Sequence, residues 1–166
     1  VIFSPGYGAP RAVYTGLLTR LVSRGFIVFA LDHPYESAVT ELPDGRVVGT
    51  VENVLPDDRD RTAYMVRQQI VRAADVRFVI DQLAHPEGLS PPLRGGRIDA
   101  SMVAVIGHSF GGAAAIAALS EDPRVVAAAN LDQAGQMLLR GEIAAFATNK
   151  AILFELADRT PGTRVL

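Results

Sequence analysis

Apolar positions along the chain follow two alternating patterns, short uninterrupted runs and longer stretches with helical spacing. Residues 1–4 predict a strand, followed by the Gly-rich loop Pro5-Gly6-Tyr7-Gly8-Ala9-Pro10. Tyr14, Leu17, Leu18, Leu21 and Val22 then fall on one face of a helix, with Pro10 suited to its first turn and Gly25 to its C-terminal cap. Residues 26–31 are apolar without a break, as a strand buried on both faces of a parallel sheet requires. Residues 32–60 make a long excursion, in which Pro43-Asp44-Gly45 predicts a turn and a small hairpin. Loops of that length tend to carry function. A second helix opens after Asp57, Asp58 and Asp60, whose charges suit a helix N-terminus. It runs through Val71, Ala74, Phe78, Val79 and Leu83 to a stop at His85-Pro86. After a loop rich in Gly and Pro come a strand at 102–106, an Ala-rich helix at 113–119, a strand at 125–131, a helix over 136–148 and a last strand at 151–154. This order predicts an α/β fold: a doubly wound, mostly parallel sheet with helices on both faces and function gathered at the carboxyl ends of its strands.

Composition narrows the picture. A chain of 166 residues has the length of one domain and can bury roughly 70% of its unfolded surface. No apolar run approaches the ~18 residues of a membrane helix, so no transmembrane segment is expected. Lys150 is the only lysine among 16 basic residues, and 18 acidic ones bring the net charge to −2. The arginines form no stripe, which argues against nucleic acid as a partner. The absence of cysteine excludes disulfides, thiolate nucleophiles and thiolate metal sites, and leaves the compartment open. The first residues begin inside an apolar strand with no initiator methionine or signal segment, so the chain is expected to be cut from a longer one.

The strand at 102–106 feeds straight into Gly107-His108-Ser109-Phe110-Gly111, a Gly-x-Ser-x-Gly pattern in strand-to-helix context. That is the form of a nucleophile elbow: the serine occupies the tip of a sharp turn, and the glycines keep side chains from colliding with the backbone. The pattern alone is common, and an incidental serine in a Gly-rich turn is the competing reading. The flanking strand and helix favour Ser109 as nucleophile. A serine hydroxyl needs a base, usually a histidine held by a carboxylate. Asp132 and Asp158 compete as the acid. Asp132 is favoured because it follows the strand at 125–131 immediately, one strand from Ser109, whereas Asp158 lies in a polar turn-like segment. Helix capping is the alternative for Asp132.

The base is harder to place. Elbow hydrolases carry their histidine after both serine and acid, and no histidine follows residue 108. His108 adjoins Ser109 and is expected to support the elbow, and His85 lies at a helix end on the surface. His33, in Asp32-His33-Pro34, could line the pocket but comes too early in the chain. The loop Pro5-Gly6-Tyr7-Gly8 supplies the counterpart of the nucleophile. A tetrahedral intermediate needs two backbone N–H donors, from the residue after the nucleophile and from the loop after an earlier strand, and these are Phe110 and Tyr7.

These residues together resemble the platelet-activating-factor acetylhydrolase-like branch of the α/β-hydrolases, which is also similar to bacterial lipases and polyester hydrolases. The likeness rests on Ser4-Pro5-Gly6-Tyr7-Gly8 with Arg11, Leu31-Asp32-His33-Pro34-Tyr35-Glu36, Leu42-Pro43-Asp44-Gly45-Arg46-Val47, Arg72-Ala73-Ala74-Asp75-Val76-Arg77-Phe78-Val79, Gly107–Gly112 and Asn130-Leu131-Asp132. It implies Ser109 as nucleophile, Asp132 as acid and Tyr7 and Phe110 as oxyanion donors. It further implies hydrolysis of carboxylic esters, with small-molecule or phospholipid-like substrates of short acyl chain, and no metal or organic cofactor. Gln133 stands where the family commonly has glycine. The family's histidine belongs after the last strand, so the expectation is an internal fragment of a larger hydrolase, incomplete at both ends and poorly active alone. A non-catalytic hydrolase-like binding protein and an acyltransferase are the alternatives.

Overall fold

The computed structural model describes residues 1–51, 58–85, 87 and 98–129. In chain order its elements are β1 (Ile2–Ser4), a 3-10 turn (Arg11–Tyr14) running into α1 (Thr15–Ser23), β2 (Phe29–Ala30), β3 (Thr40–Glu41), β4 (Val47–Val48), α2 (Asp58–Ala84), β5 (Val103–Gly107), α3 (Phe110–Glu121) and β6 (Val125–Ala129). Among the described residues four strands form a parallel sheet in the order β2-β1-β5-β6. Between β1 and β5 the register sets Ile2 opposite Val105, Phe3 opposite Ile106 and Ser4 opposite Gly107. From β1 the chain first steps to β2 on one side, then returns to β5 on the other. The strand order therefore reverses between β1 and β5, and the crevice beyond their carboxyl ends is where open α/β sheets take ligands.

Alternation along β1 assigns the two faces. Ile2 joins Val103, Val105 and Val125 in a core closed by Val76 and Ile80 of α2 and by Ala115 and Ala118 of α3. Burying each of those Val and Ile side chains contributes about 1.5–3 kcal/mol. Phe3 points the opposite way and packs its ring on Tyr14, 4.7 Å between centroids, so the turn into α1 covers the other face. On the core side Gly111, Gly112, Ala114, Ala115 and Ala118 are all buried, and their small side chains bring the α3 backbone down onto the sheet. The chain turns off α1 through a left-handed Gly25 at φ 89°, where Gly25 N–H donates to Val22 O and Phe26 N–H to Leu21 O. This pair of bonds is the Schellman arrangement that a C-terminal glycine permits. At the far end of α3, Arg124 donates to Asp122 and Asp81, holding the Asp122 carboxyl below the usual carboxylate range.

The hairpin expected around Pro43-Asp44-Gly45 is present, β3 and β4 pairing antiparallel with Gly45 at φ 82°. Two expectations need correction. Only Phe29 and Ala30 of the 26–31 run form a strand, and Phe26 and Ile27 are exposed. Among the described residues β2 has β1 as its single neighbour, so nothing covers the preceding apolar residues. In α2, Val71, Ala74 and Phe78 face solvent, while the inward stripe is Arg72, Ala73, Val76, Ile80 and Leu83. An arginine heads that stripe because partners on other elements satisfy its charge. The helix expected at 136–148 and the strand at 151–154 lie outside the described residues.

Candidate active site

Gly107 ends β5 and Phe110 begins α3, leaving His108 and Ser109 to make the whole turn. Ser109 sits at φ 52°, ψ −117°, in the half of backbone space that L-residues seldom enter. Such a conformation costs about 1–3 kcal/mol and persists only where its surroundings fix it. Here His108 N–H donates to Ser4 O at 3.2 Å, Gly111 N–H to His108 O at 2.8 Å and Gly112 N–H to Ser109 O at 2.9 Å. The glycines are required by space. A Cβ on Gly107 would overlap the Gly111 carbonyl, and one on Gly111 would overlap the Ser4 carbonyl of β1. Ser109 itself is exposed, at the carboxyl edge of the sheet and at the N-terminal end of α3.

Across the β1–β5 switch point lies the Pro5–Gly8 loop. The Tyr7 ring meets the Phe110 ring edge-on, 5.9 Å between centroids at 75°, so the two residues expected to supply oxyanion donors are neighbours. Among the described residues the Tyr7 N–H donates to no backbone carbonyl. Phe110 opens α3, where N–H groups have no partner within the helix. The Tyr7 hydroxyl is 3.2 Å from that of Tyr64, and burial, reinforced by this bond, raises its pKa to about 12. It stays protonated at any pH at which the fold is of interest. Gly6 N–H donates to the Tyr14 hydroxyl at 3.1 Å, and that hydroxyl is 2.8 Å from His108 Nδ1. Burial lowers the His108 pKa, which favours the neutral ring and lets Tyr14 donate to it.

Beneath this loop is a buried polar cluster that sequence reasoning missed. His33, 3% exposed, sets Nε2 3.0 Å from Ser4 Oγ and Nδ1 2.6 Å from Asp75 Oδ2. An ionised Asp75 can only accept, so Nδ1 of His33 donates to it. Arg72, 1% exposed, forms a bidentate pair with Glu36 and donates to Ser4 Oγ, Pro5 O and Gly6 O. Its guanidinium also lies over the Phe110 ring, 5.0 Å from the centroid. One signal was available in the sequence: Arg72 shares a helical face with Val76, Ile80 and Leu83, and an arginine in such a place is fully buried only when paired.

The three histidines thus stand in three different environments. His33 is sealed between Ser4 and Asp75, His108 bonds Tyr14 behind the elbow, and His85 is exposed beside Glu87. Asp132, Gln133 and Asp158 lie outside the described residues. Among the described residues no group of three or more His, Asp or Glu side chains could hold a metal ion, and no helix is long and apolar enough to cross a membrane.

Comparison with known proteins gives this geometry a lineage. The chain matches the family model described as platelet-activating factor acetylhydrolase, isoform II, over residues 1–73 and 92–140. It is 30% identical over 138 residues to a probable 1-alkyl-2-acetylglycerophosphocholine esterase of Arthroderma benhamiae, covering 80% of this chain and 30% of that protein. With the platelet-activating factor acetylhydrolase of Cavia porcellus the identity is 33% over 151 residues, covering 75% of this chain and 32% of that protein. Among solved structures, a ferulic acid esterase from Streptomyces cinnamoneus superposes with a TM-score of 0.58 at 38% identity, over 76% of this chain and 34% of the other. The sheet is therefore that of the α/β-hydrolase fold, as expected. The chain spans about a third of the length of the curated relatives it matches.

Proposed function

This chain belongs to the platelet-activating factor acetylhydrolase, isoform II, family, and from that premise we propose that it carries the nucleophile and oxyanion hole of a serine ester hydrolase. The observation that supports this most is the backbone of Ser109, held at φ 52° on an exposed turn by glycines that accept no side chain. Ser109 Oγ attacks the ester carbonyl, whose oxygen becomes an oxyanion accepting from the N–H groups of Tyr7 and Phe110. Each donor is worth roughly 2.7–4 kcal/mol of barrier. Collapse expels the alcohol and leaves an acyl-Ser109 ester, which water then hydrolyses through a second oxyanion in the same hole. The proton of Ser109 passes to a histidine oriented by Asp132. His33 and His108 are hydrogen-bonded elsewhere, to Ser4 and Asp75 and to Tyr14.

The relatives' names specify an acetyl ester of a glycerophosphocholine and a ferulic acid ester. Substrates of the present protein are accordingly carboxylic esters, with short-chain acyl esters of phospholipid type preferred. In the full-length protein Ser109→Ala is expected to lower turnover of a nitrophenyl acetate by up to about 10⁶-fold. Turnover surviving in that variant would refute the assignment, and faster cleavage of a palmitate than of an acetate would refute the substrate class.

A further inference from the structure

We propose that Arg72 is a positioning residue for the oxyanion hole: it holds the carbonyl ends of the two peptide planes that precede Tyr7, and so fixes where the Tyr7 N–H points. The inference rests on the hydrolase reading above and adds to it a residue that touches neither substrate nor Ser109. A guanidinium has five N–H donors in a rigid planar fork. In Arg72 all five are used. Nε donates to Glu36 Oε2 at 2.9 Å and one Nη2 hydrogen to Glu36 Oε1. Nη1 donates to Ser4 Oγ at 3.2 Å and Pro5 O at 2.6 Å, and the second Nη2 hydrogen to Gly6 O at 3.4 Å.

Planarity turns these bonds into a direction. In a trans peptide the C=O and the following N–H point opposite ways, so a carbonyl held at one end aims the amide at the other. Arg72 takes Pro5 O, and Gly6 N–H accordingly points away to the Tyr14 hydroxyl at 3.1 Å. Arg72 and Ala9 N–H together take Gly6 O, and Tyr7 N–H accordingly points away from the buried guanidinium. Without such anchors the Gly6–Tyr7 plane would turn at little cost, because Gly6 has no side chain to resist rotation and Gly8 already sits at φ 72°. A rotated plane would put a carbonyl where the donor belongs.

Glu36 keeps the fork aimed. It is 4% exposed and follows Tyr35, whose left-handed φ of 67° makes the sharp turn leading into the buried Glu36-Ser37 pair. The same guanidinium lies 5.0 Å from the centre of the Phe110 ring, so one side chain reaches the ring of one expected donor and the carbonyl of the peptide plane that carries the other. Nothing in this arrangement is required to bind the rest of an ester, which separates it from substrate recognition.

The test uses the full-length protein with three variants: Ser109→Ala, Arg72→Lys, and the double variant Arg72→Met with Glu36→Leu. The lysine keeps the charge opposite Glu36 but cannot span Glu36, Pro5 O and Gly6 O. The double variant removes the buried pair as a unit, a replacement that folds commonly tolerate. Loss of one oxyanion donor lowers kcat by about 10²–10³-fold, and that is expected for both Arg72 variants, with KM held within about threefold. Affinity for a trifluoromethyl ketone, which forms a tetrahedral adduct, should fall in proportion to kcat/KM, while thermal unfolding stays cooperative. A folded Arg72 variant with kcat within about twofold of the parent, or with KM raised and kcat intact, would overturn the proposal. If Ser109→Ala abolishes turnover and the Arg72 variants do not lower it, the positioning role alone fails. If Ser109→Ala retains turnover, the hydrolase reading fails and this inference with it.

Discussion

Two serines follow from adjacent strands of the sheet, and their surroundings are opposite. Ser4, at the end of β1, has the neighbours of a catalytic triad: His33 Nε2 at 3.0 Å and Asp75 beyond it, 2.6 Å from Nδ1. It is also wholly buried, and its oxygen already accepts from Arg72. Ser109, two residues beyond β5, has no histidine bonded to it among the described residues, yet it is exposed and held in a strained turn. A serine–histidine–aspartate chain of hydrogen bonds is therefore no sign of a nucleophile by itself. Access to substrate and the backbone conformation distinguish the two, and both favour Ser109.

The regions also differ in how they are built. The elbow is fixed by what is missing, since Gly107 and Gly111 have no Cβ and the backbone hydrogen bonds of the turn lie within a few residues or on the adjacent strand. The Pro5–Gly8 loop is fixed by long side chains arriving from other elements: Arg72 from α2, Tyr14 from the 3-10 turn, and Glu36 behind Arg72. Mutations should separate them. The largest stability loss is expected for Glu36→Ala, which leaves the Arg72 charge buried and unpaired and should cost about 3–5 kcal/mol in urea unfolding. A loss under about 1 kcal/mol would mean the pair is no anchor. On the elbow side Gly111→Ala forces a methyl against the Ser4 carbonyl and should cost about 3 kcal/mol. Gly8→Ala meets open space but keeps φ 72°, and should cost only about 1 kcal/mol, so equal losses at the two glycines would break the spatial account of the elbow.

Ser4→Ala leaves His33 Nε2 without its hydrogen-bond partner and should destabilise the fold by about 1–3 kcal/mol while leaving reaction with a fluorophosphonate unchanged. Loss of labelling in a folded Ser4→Ala protein would reverse the ranking of the two serines. The smallest effect expected is a dependence on pH. Burial puts the His108 pKa below its ordinary 6.5, so the unfolded chain binds the proton more readily than the fold does. This group's contribution is fully kept above pH 6.5 and declines as pH falls below it. His108→Gln should flatten that part of the stability profile, and an unchanged slope would assign it to another group.

The same contrast explains what could be read in the sequence. The strand–helix alternation, the cap at Gly25, the turn at Gly45 and the elbow all arise from residues close together in the chain, so their signals are local. Arg72 and Glu36 are 36 positions apart and His33 and Asp75 are 42 apart, and no periodicity or motif links such pairs. For that reason hydropathy alone points to the wrong face of α2. Val71 and Phe78 look like core residues by hydropathy, whereas the buried stripe begins with a charged residue whose partners lie on other elements. The exposure of Phe26 and Ile27 likewise depends on the position of β2 in the sheet, which an apolar run does not encode. Asp132, chosen over Asp158 by strand order, lies outside the described residues and remains part of the proposal.

Whether Ser109 is the nucleophile is decided by treating the full-length protein with a fluorophosphonate and mapping the adduct by peptide mass spectrometry. A single phosphonyl group on Ser109, absent after Ser109→Ala, is the result the account requires. An adduct on Ser4 or any other residue, or labelling that persists in the Ser109→Ala protein, would contradict it.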